Sequence, residues 1–183
     1  MVHLATCKVL GGQIFTHDCV VGLTRQILKS VPGLVHRCED TSLLHNARVD
    51  LAVWSDESPE GHIYDPTVAN PLAAKIVGAA GNKTLAAAKK REQAKRSKWE
   101  DRAKAEGFDF TPLVFESTGG MAKNTQLFFR SLVARQNEME KYVPVNWAAT
   151  SRFDYWAQRF SVVLARGTTR ATRRLYSLCK SKN

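Results

Sequence analysis

Long apolar runs, paired cysteines and acidic residues are all scarce in this 183-residue chain. No stretch approaches the ~18 consecutive apolar residues that a membrane-spanning helix requires. The most apolar run, residues 76–80, is short and rich in alanine and glycine. The sequence therefore predicts that no segment inserts into a membrane.

The 4 cysteines form neither a CxxC pair nor the dense spacing of a disulfide framework. The start of the chain also lacks the charged residues and apolar run of a secretory signal. We therefore expect an intracellular, reducing location, and a nuclear one for a protein that acts on DNA. An alternative use of the thiols is a structural zinc site, whose ligands would come from His17, Cys19, His36, Cys38 and His45, but such spacings are not diagnostic.

Basic residues outnumber acidic ones, with 27 Lys+Arg against 17 Asp+Glu and a formal net charge of +10. The excess is concentrated in residues 83–104 and 166–183. This charge favours a phosphate-bearing partner, which is DNA or, as the alternative, RNA. The plain alternative is a pair of solvated helix faces that aid solubility. The expected nucleic-acid contacts are Lys89, Lys90, Lys98, Arg166, Arg170, Arg173 and Arg174.

Hydrophobic periodicity and turn residues predict an α/β domain with a mixed central sheet flanked by helices. A helix is predicted from Thr16 to the Pro32-Gly33 stop, and Gly167 is expected to end a later helix. We expect a core in residues 1–120 and a helical extension, residues 121–183, packed on the same domain. The other predicted elements are strands at 34–38, 48–54, 62–69 and 110–116, and helices at 83–106, 121–142, 149–166 and 169–180.

Two aspartates occupy otherwise apolar predicted strands, Asp50 in residues 48–54 and Asp65 in residues 62–69. A carboxylate in such a strand is costly unless a cation meets it, so the pair suggests a divalent metal and a polyanionic substrate. Pro66 cannot donate a hydrogen bond to a ladder, so the strand is expected to lie at an edge or to bulge there. The alternatives are a salt-bridged acid for Asp50 and a turn acid for Asp65.

The basic helix predicted at 83–106 carries Glu92 and Lys95 within an otherwise apolar stripe. Packed on the sheet, this helix would point both side chains toward the strand carboxylates. Lys95 is therefore the candidate catalytic cation, and Glu92 or Asp18 a possible accessory ligand. The alternative is an i,i+3 ion pair between Glu92 and Lys95 on a solvated face.

The predicted order resembles the αβββαβ core of the PD-(D/E)XK nuclease superfamily, and Asp50 and Asp65 fall where its two metal-binding acids stand. Thr67 occupies the usual position of the lysine of that pattern. With its lysine on the following helix, in Lys95-x-x-Lys98-Trp99, the chain resembles the restriction-like endonuclease domain at the C-terminus of site-specific non-LTR retrotransposon proteins.

Further motifs resemble uncharacterised C-terminal regions associated with reverse transcriptases. They are His3-x-x-x-Cys7, Gly11-Gly12, His17-Asp18 and the segment at 110–120. The chain departs from the endonuclease pattern at three positions: Val49 replaces a proline, Pro66 a β-branched residue and Trp99 a tyrosine.

The resemblance implies a Mg²⁺- or Mn²⁺-dependent endonuclease that nicks DNA, with Asp50 and Asp65 as metal ligands. Lys95 would orient or deprotonate the attacking water, or neutralise charge in the transition state. The reverse transcriptase region of a parent retroelement protein would be a partner. Two other classes stay open: a catalytically inactive nucleic-acid-binding module of the same fold, and a basic assembly protein whose helices at 121–180 form an interface.

Overall fold

The computed structural model describes residues 12–45, 47–56, 58–141, 143 and 148–180. The predicted motif residues His3, Cys7 and Gly11 lie outside this part of the chain. No helix among the described residues is long and apolar enough to cross a membrane.

The described residues form an α/β domain with a four-stranded mixed sheet, as predicted. The strand order is β1-β2-β3-β4, in which the first three strands are antiparallel neighbours and β4 is parallel to β3. The parallel pair requires a crossover, which the chain makes through helices between the two strands. The elements are α1 (Gly12–Lys29), β1 (Leu34–Leu44), β2 (Ala47–Ser55), β3 (Ser58–Ala69), α2 (Val77–Asn82), α3 (Ala86–Ala105), β4 (Phe108–Glu116), α4 (Lys123–Met139) and α5 (Arg152–Lys180).

Local sequence explains most element ends. Helix α1 begins at Gly12, earlier than the predicted Thr16, and stops before the turn that contains Gly33 at φ 73. Helix α3 is followed by Gly107 at φ 79, a left-handed conformation that favours glycine at a helix end. The short helix α2 lies in the segment after Pro71 for which the pattern predicts no element.

Alternate residues of the strands face two different layers of helices. Leu51 and Phe115 pack with α1, α4 and α5 in the largest core cluster. Ala52 and Phe110 pack on the other side with Ala103 of α3. The largest buried side chains of the first layer include stacked rings, Phe115 and Phe160, with centroids 4.8 Å apart. Helices α4 and α5 thus share one core with the sheet.

Pro66 lies in the half of β3 that pairs with β4 alone. The β2–β3 ladder extends only to the pair Leu51 and Tyr64, whereas the β3–β4 ladder continues to Ala69. Strand β3 is therefore an edge strand on its β2 side at Pro66, which is one of the two environments expected for a residue with no backbone N–H.

Residues 152–180 form one continuous helix, so the prediction that Gly167 ends a helix is wrong. Gly167 is buried where α5 crosses α1. A Cβ at this position would lie 2.8 Å from Thr16 Cβ, and Thr16 Oγ1 would be closer still. Glycine is present because the two helices approach closely, which a sequence pattern does not distinguish from a helix end.

Replacing Gly167 by alanine should lower the free energy of unfolding by about 1–3 kcal/mol, because the new methyl overlaps Thr16 in a packed interface. Urea denaturation monitored by circular dichroism measures the change. The matched control is Gly22→Ala in α1, where an added Cβ meets nothing within 4 Å. The control should be neutral or stabilising by up to about 1 kcal/mol. Equal stability of the two variants would contradict the close crossing.

Candidate functional site

Asp50 and Asp65 lie at the same end of neighbouring strands. Leu51 of β2 pairs with Tyr64 of β3, and the two acids stand one residue beyond this pair on their respective strands. Both line a small cavity of about 80 Å³, together with Lys95. The sheet register therefore brings the two carboxylates to one gap, beneath a lysine from α3.

Lys95 forms an ion pair with Asp65. Its Nζ is 2.6 Å from Asp65 Oδ2, and the two side chains are 21% and 12% exposed. One turn earlier on α3, Arg91 Nε donates to Thr67 Oγ1 at 3.3 Å. Arg91 and Lys95, one helical turn apart on α3, thus contact two side chains that lie on the same side of β3. The position where the resemblance expects lysine, Thr67, is buried and is contacted by an arginine from the helix.

Helix α3 is anchored at its start by a buried carboxylate. Glu116, at the end of β4, accepts a hydrogen bond from the backbone N–H of Ala88 at 3.0 Å. An acid at the first turn also complements the helix dipole. Leu85, which precedes the helix, has φ 59, a conformation costly for a residue with a side chain. These contacts fix the start of the helix that carries Lys95.

His17 connects Asp50 to helix α1, a contact that the sequence interpretation did not assign. Its Nε2 is 3.0 Å from Asp50 Oδ2, and its Nδ1 is 3.3 Å from Asp18 Oδ1. Arg48 approaches the other oxygen of Asp50, at 3.8 Å. In the sequence, His17 stood out in the His17-Asp18 motif and in the alternative zinc set, and neither pointed to Asp50. Asp18 is 60% exposed and reaches the site through His17.

Burial and hydrogen bonding move the pKa values of the two strand acids in opposite directions. Burial raises the pKa of Asp65, and the charge and hydrogen bond of Lys95 offset this only in part. Burial also opposes ionisation of Asp50, but the hydrogen bond and charge of His17, with the charges of Lys95 and Arg48, hold its pKa below the usual value. Such a divergence is typical of paired acids with different roles.

Asp65 retains one unused acceptor. Its Oδ1 is buried and has no hydrogen-bond partner among the described residues. A buried carboxylate oxygen without a donor is costly. The unpaired oxygen, in a gap that it shares with a second carboxylate, is the feature of this site that a cation would satisfy.

Glu92 does not face this gap. Its carboxylate accepts a hydrogen bond from Asn124 and lies 3.8 Å from Arg96. The predicted accessory role of Glu92, and its alternative pairing with Lys95, are therefore not supported, because Lys95 pairs with Asp65. Within the described ranges no three His, Cys, Asp or Glu side chains converge as a metal cage, and Cys19 and Cys38 are free thiols.

The predicted nucleic-acid contacts in the described part of the chain lie on the surface. The exposed residues are Lys89, Lys90, Lys98, Arg166, Arg170 and Arg173. Lys98 Nζ lies 4.5 Å from the ring centroid of Trp99, and the Arg170 guanidinium lies 4.2 Å from that of Phe15. The side chain of Arg174 falls outside the described part.

No protein-family model matches this chain, and no curated protein matches it. The chemistry of the site is therefore what points to a function. Two carboxylates with oppositely shifted pKa values share one gap with the ammonium of Lys95, and the imidazole of His17 contacts one of them, Asp50. Together they can hold a cation against a phosphate and control the protonation of a water molecule.

Replacing His17 by glutamine should lower stability at about pH 5.5 by about 1.5 kcal/mol, and by less at about pH 8.5, since a charge-assisted hydrogen bond is lost. Its hydrogen bond to Asp50 raises the pKa of His17 above 6.5. That stabilisation is complete below 6.5 and is lost as pH rises through the folded-state value. The pKa of Asp50 is lowered from 3.8, so the stabilisation from its ionised form is present above pH 3.8 and is lost as pH falls through the folded-state pKa.

Urea unfolding in EDTA at the two pH values measures this difference. His45→Gln is the control, because His45 is exposed and lies outside the site. The same loss at both pH values would show that His17 contributes packing alone.

Proposed function

We propose that this chain is a metal-dependent endonuclease of the PD-(D/E)XK type that nicks DNA by phosphodiester hydrolysis. The observation that carries the proposal is the convergence of Asp50, Asp65 and Lys95 on one gap, with Lys95 Nζ 2.6 Å from Asp65. The order α1-β1-β2-β3-α3-β4, interrupted only by the short α2 and with β4 parallel to β3, supports it. A parent retroelement protein and its reverse transcriptase region remain the proposed context, with the nucleus as the proposed location.

The residues present fit Mg²⁺ or Mn²⁺. Asp50 and Asp65 would hold the ion, since Mg²⁺ is commonly bound by one or two carboxylates with waters and substrate phosphate. The unpaired Asp65 Oδ1 supports this fit. Such an ion supplies positive charge to a phosphate oxygen and lowers the pKa of water.

Each neighbouring side chain has a task in this proposal. Lys95 carries three donors, of which Asp65 occupies one, so its ammonium can also contact a water or a phosphate oxygen. His17 holds Asp50 in a single orientation by its hydrogen bond. Because Asp50 has a lowered pKa, it stays ionised at neutral pH and does not compete for the proton that the reaction releases.

Asp65→Asn should lower the rate of plasmid nicking by about a hundredfold or more, because the amide keeps the shape of the side chain but removes its charge. Supercoiled DNA incubated with Mg²⁺ or Mn²⁺ and resolved on agarose measures nicking, and EDTA should abolish it. The control is Asp101→Asn, an exposed acid on α3. Circular dichroism checks that both variants fold. Undiminished nicking by Asp65→Asn, or in EDTA, would refute the proposal.

The second candidate function is nucleic-acid binding without cleavage. It is favoured by the Lys95–Asp65 ion pair, which already supplies the buried acid with a cation. The exposed lysine and arginine side chains of α3 and α5 would then bind phosphates, and no cleavage would follow. Salt-sensitive binding with no nicking by the wild-type protein would select this function over the first.

The double variant Lys89→Gln with Lys90→Gln should reduce the salt dependence of DNA binding. Each lost phosphate contact lowers the slope of log affinity against log salt by about 1. Fluorescence anisotropy between about 50 and about 200 mM salt measures the slope. Lys29→Gln with Lys75→Gln is the charge-matched control, since both lysines are exposed and lie outside the two basic segments. Identical slopes for the two double variants would exclude Lys89 and Lys90 as contacts.

A further inference from the structure

A second, larger cavity of about 460 Å³ adjoins the candidate site. It lies between α1, the end of β3, α3 and α5, and its volume is within the range of about 300–1,000 Å³ typical of small-molecule sites. His17 and Arg48 line it, and both also contact Asp50. A DNA strand whose phosphate lay at Asp50 would therefore place its neighbouring nucleotide at this cavity.

The cavity has a cationic side formed by two arginines. Arg48 is 55% exposed and lies 3.8 Å and 4.0 Å from carboxylates, beyond hydrogen-bond length. Arg91 contacts the hydroxyl of Thr67 through Nε. Each guanidinium has five N–H donors. The contacts that the described residues make with Arg48 and Arg91 leave most of these donors available to a ligand. Planar guanidinium groups match phosphate oxygens well. Asp18 is the one acid among the described residues of the lining, and it is paired with His17.

The remaining wall is suited to a sugar and base. Val68 and Leu164 contribute apolar surface to the lining. Asn70 and Thr168 add polar groups to the same wall. Among the described residues that line the cavity there is no Phe, Tyr or Trp, and the imidazole of His17 is hydrogen-bonded to Asp50. A base would therefore be held by shape and polar contacts instead of by stacking.

We infer that this cavity binds one unstacked nucleotide next to the cleaved phosphate, with its own phosphate against Arg48 and Arg91. The inference depends on the proposed nuclease function and names its substrate class. A paired nucleotide within a duplex cannot enter a cavity of this kind, because its base is stacked and hydrogen-bonded. The preferred substrate is thus DNA with an unpaired nucleotide beside the cut.

Filling the cavity tests the inference. In Thr168→Trp the indole would occupy it from its exposed rim on α5. Thr169→Trp is the matched control, because Thr169 is the next residue, is exposed and does not line the cavity. Anisotropy in EDTA compares a duplex carrying one unpaired nucleotide with the fully paired duplex. The wild-type protein and Thr169→Trp should prefer the former by about tenfold, and Thr168→Trp should show no preference.

A second pair of variants keeps the test decisive if the tryptophan disturbs folding. Arg91→Gln should reduce the preference by about tenfold, whereas Lys90→Gln, the charge-matched neighbour, should weaken both duplexes equally. Equal affinity of the wild-type protein for both duplexes, or a preference unchanged in Thr168→Trp and Arg91→Gln, would overturn the inference. Binding is measured without metal, so it does not depend on cleavage. If the preference depends on the cavity but the protein never nicks DNA, the proposed nuclease activity is overturned and nucleotide binding by the cavity is not.

Discussion

The ion pair between Asp65 and Lys95 is the interaction on which the candidate site depends. A carboxylate on an inner strand is destabilising without a cation, and Lys95 can reach it because α3 packs on the neighbouring strand β4 with this side chain directed to β3. Glu116 fixes the first turn of that helix to the end of β4. The charge of Asp65 on β3 thus requires Lys95 of α3 nearby, and Glu116 on β4 holds the start of α3 in place.

Both layers of helices contribute to the site. Helix α3 supplies Lys95 and Arg91 from one side of the sheet, and α1 supplies His17 from the other. The two acids between them therefore experience different surroundings. Asp50 is held ionised by donors, whereas Asp65 is more deeply buried and keeps an oxygen that no described residue donates to. This asymmetry, rather than the presence of two acids, distinguishes the arrangement from a pair of surface carboxylates.

Apart from the short α2 and the helix end wrongly predicted at Gly167, the order of the elements could be predicted from the sequence, because the others have local signals such as alternation in β2 or Gly107 after α3. The alignment of Asp50 with Asp65, and the reach of Lys95, follow from the same strand and helix periods. The role of His17 could not be predicted, since its partner lies 33 residues away and no period connects them. Gly167 was misinterpreted for a related reason: only the distant Thr16 explains it.

The parallel pairing of β3 with β4 has a consequence for folding. This ladder joins segments separated by the whole of α2 and α3, so closing it loses more chain entropy than forming the hairpins of β1 to β3. Lys95 lies within that intervening segment. A chain that has formed only its early hairpins would hold Asp50 and Asp65 near each other without their lysine, and would not yet have an assembled site.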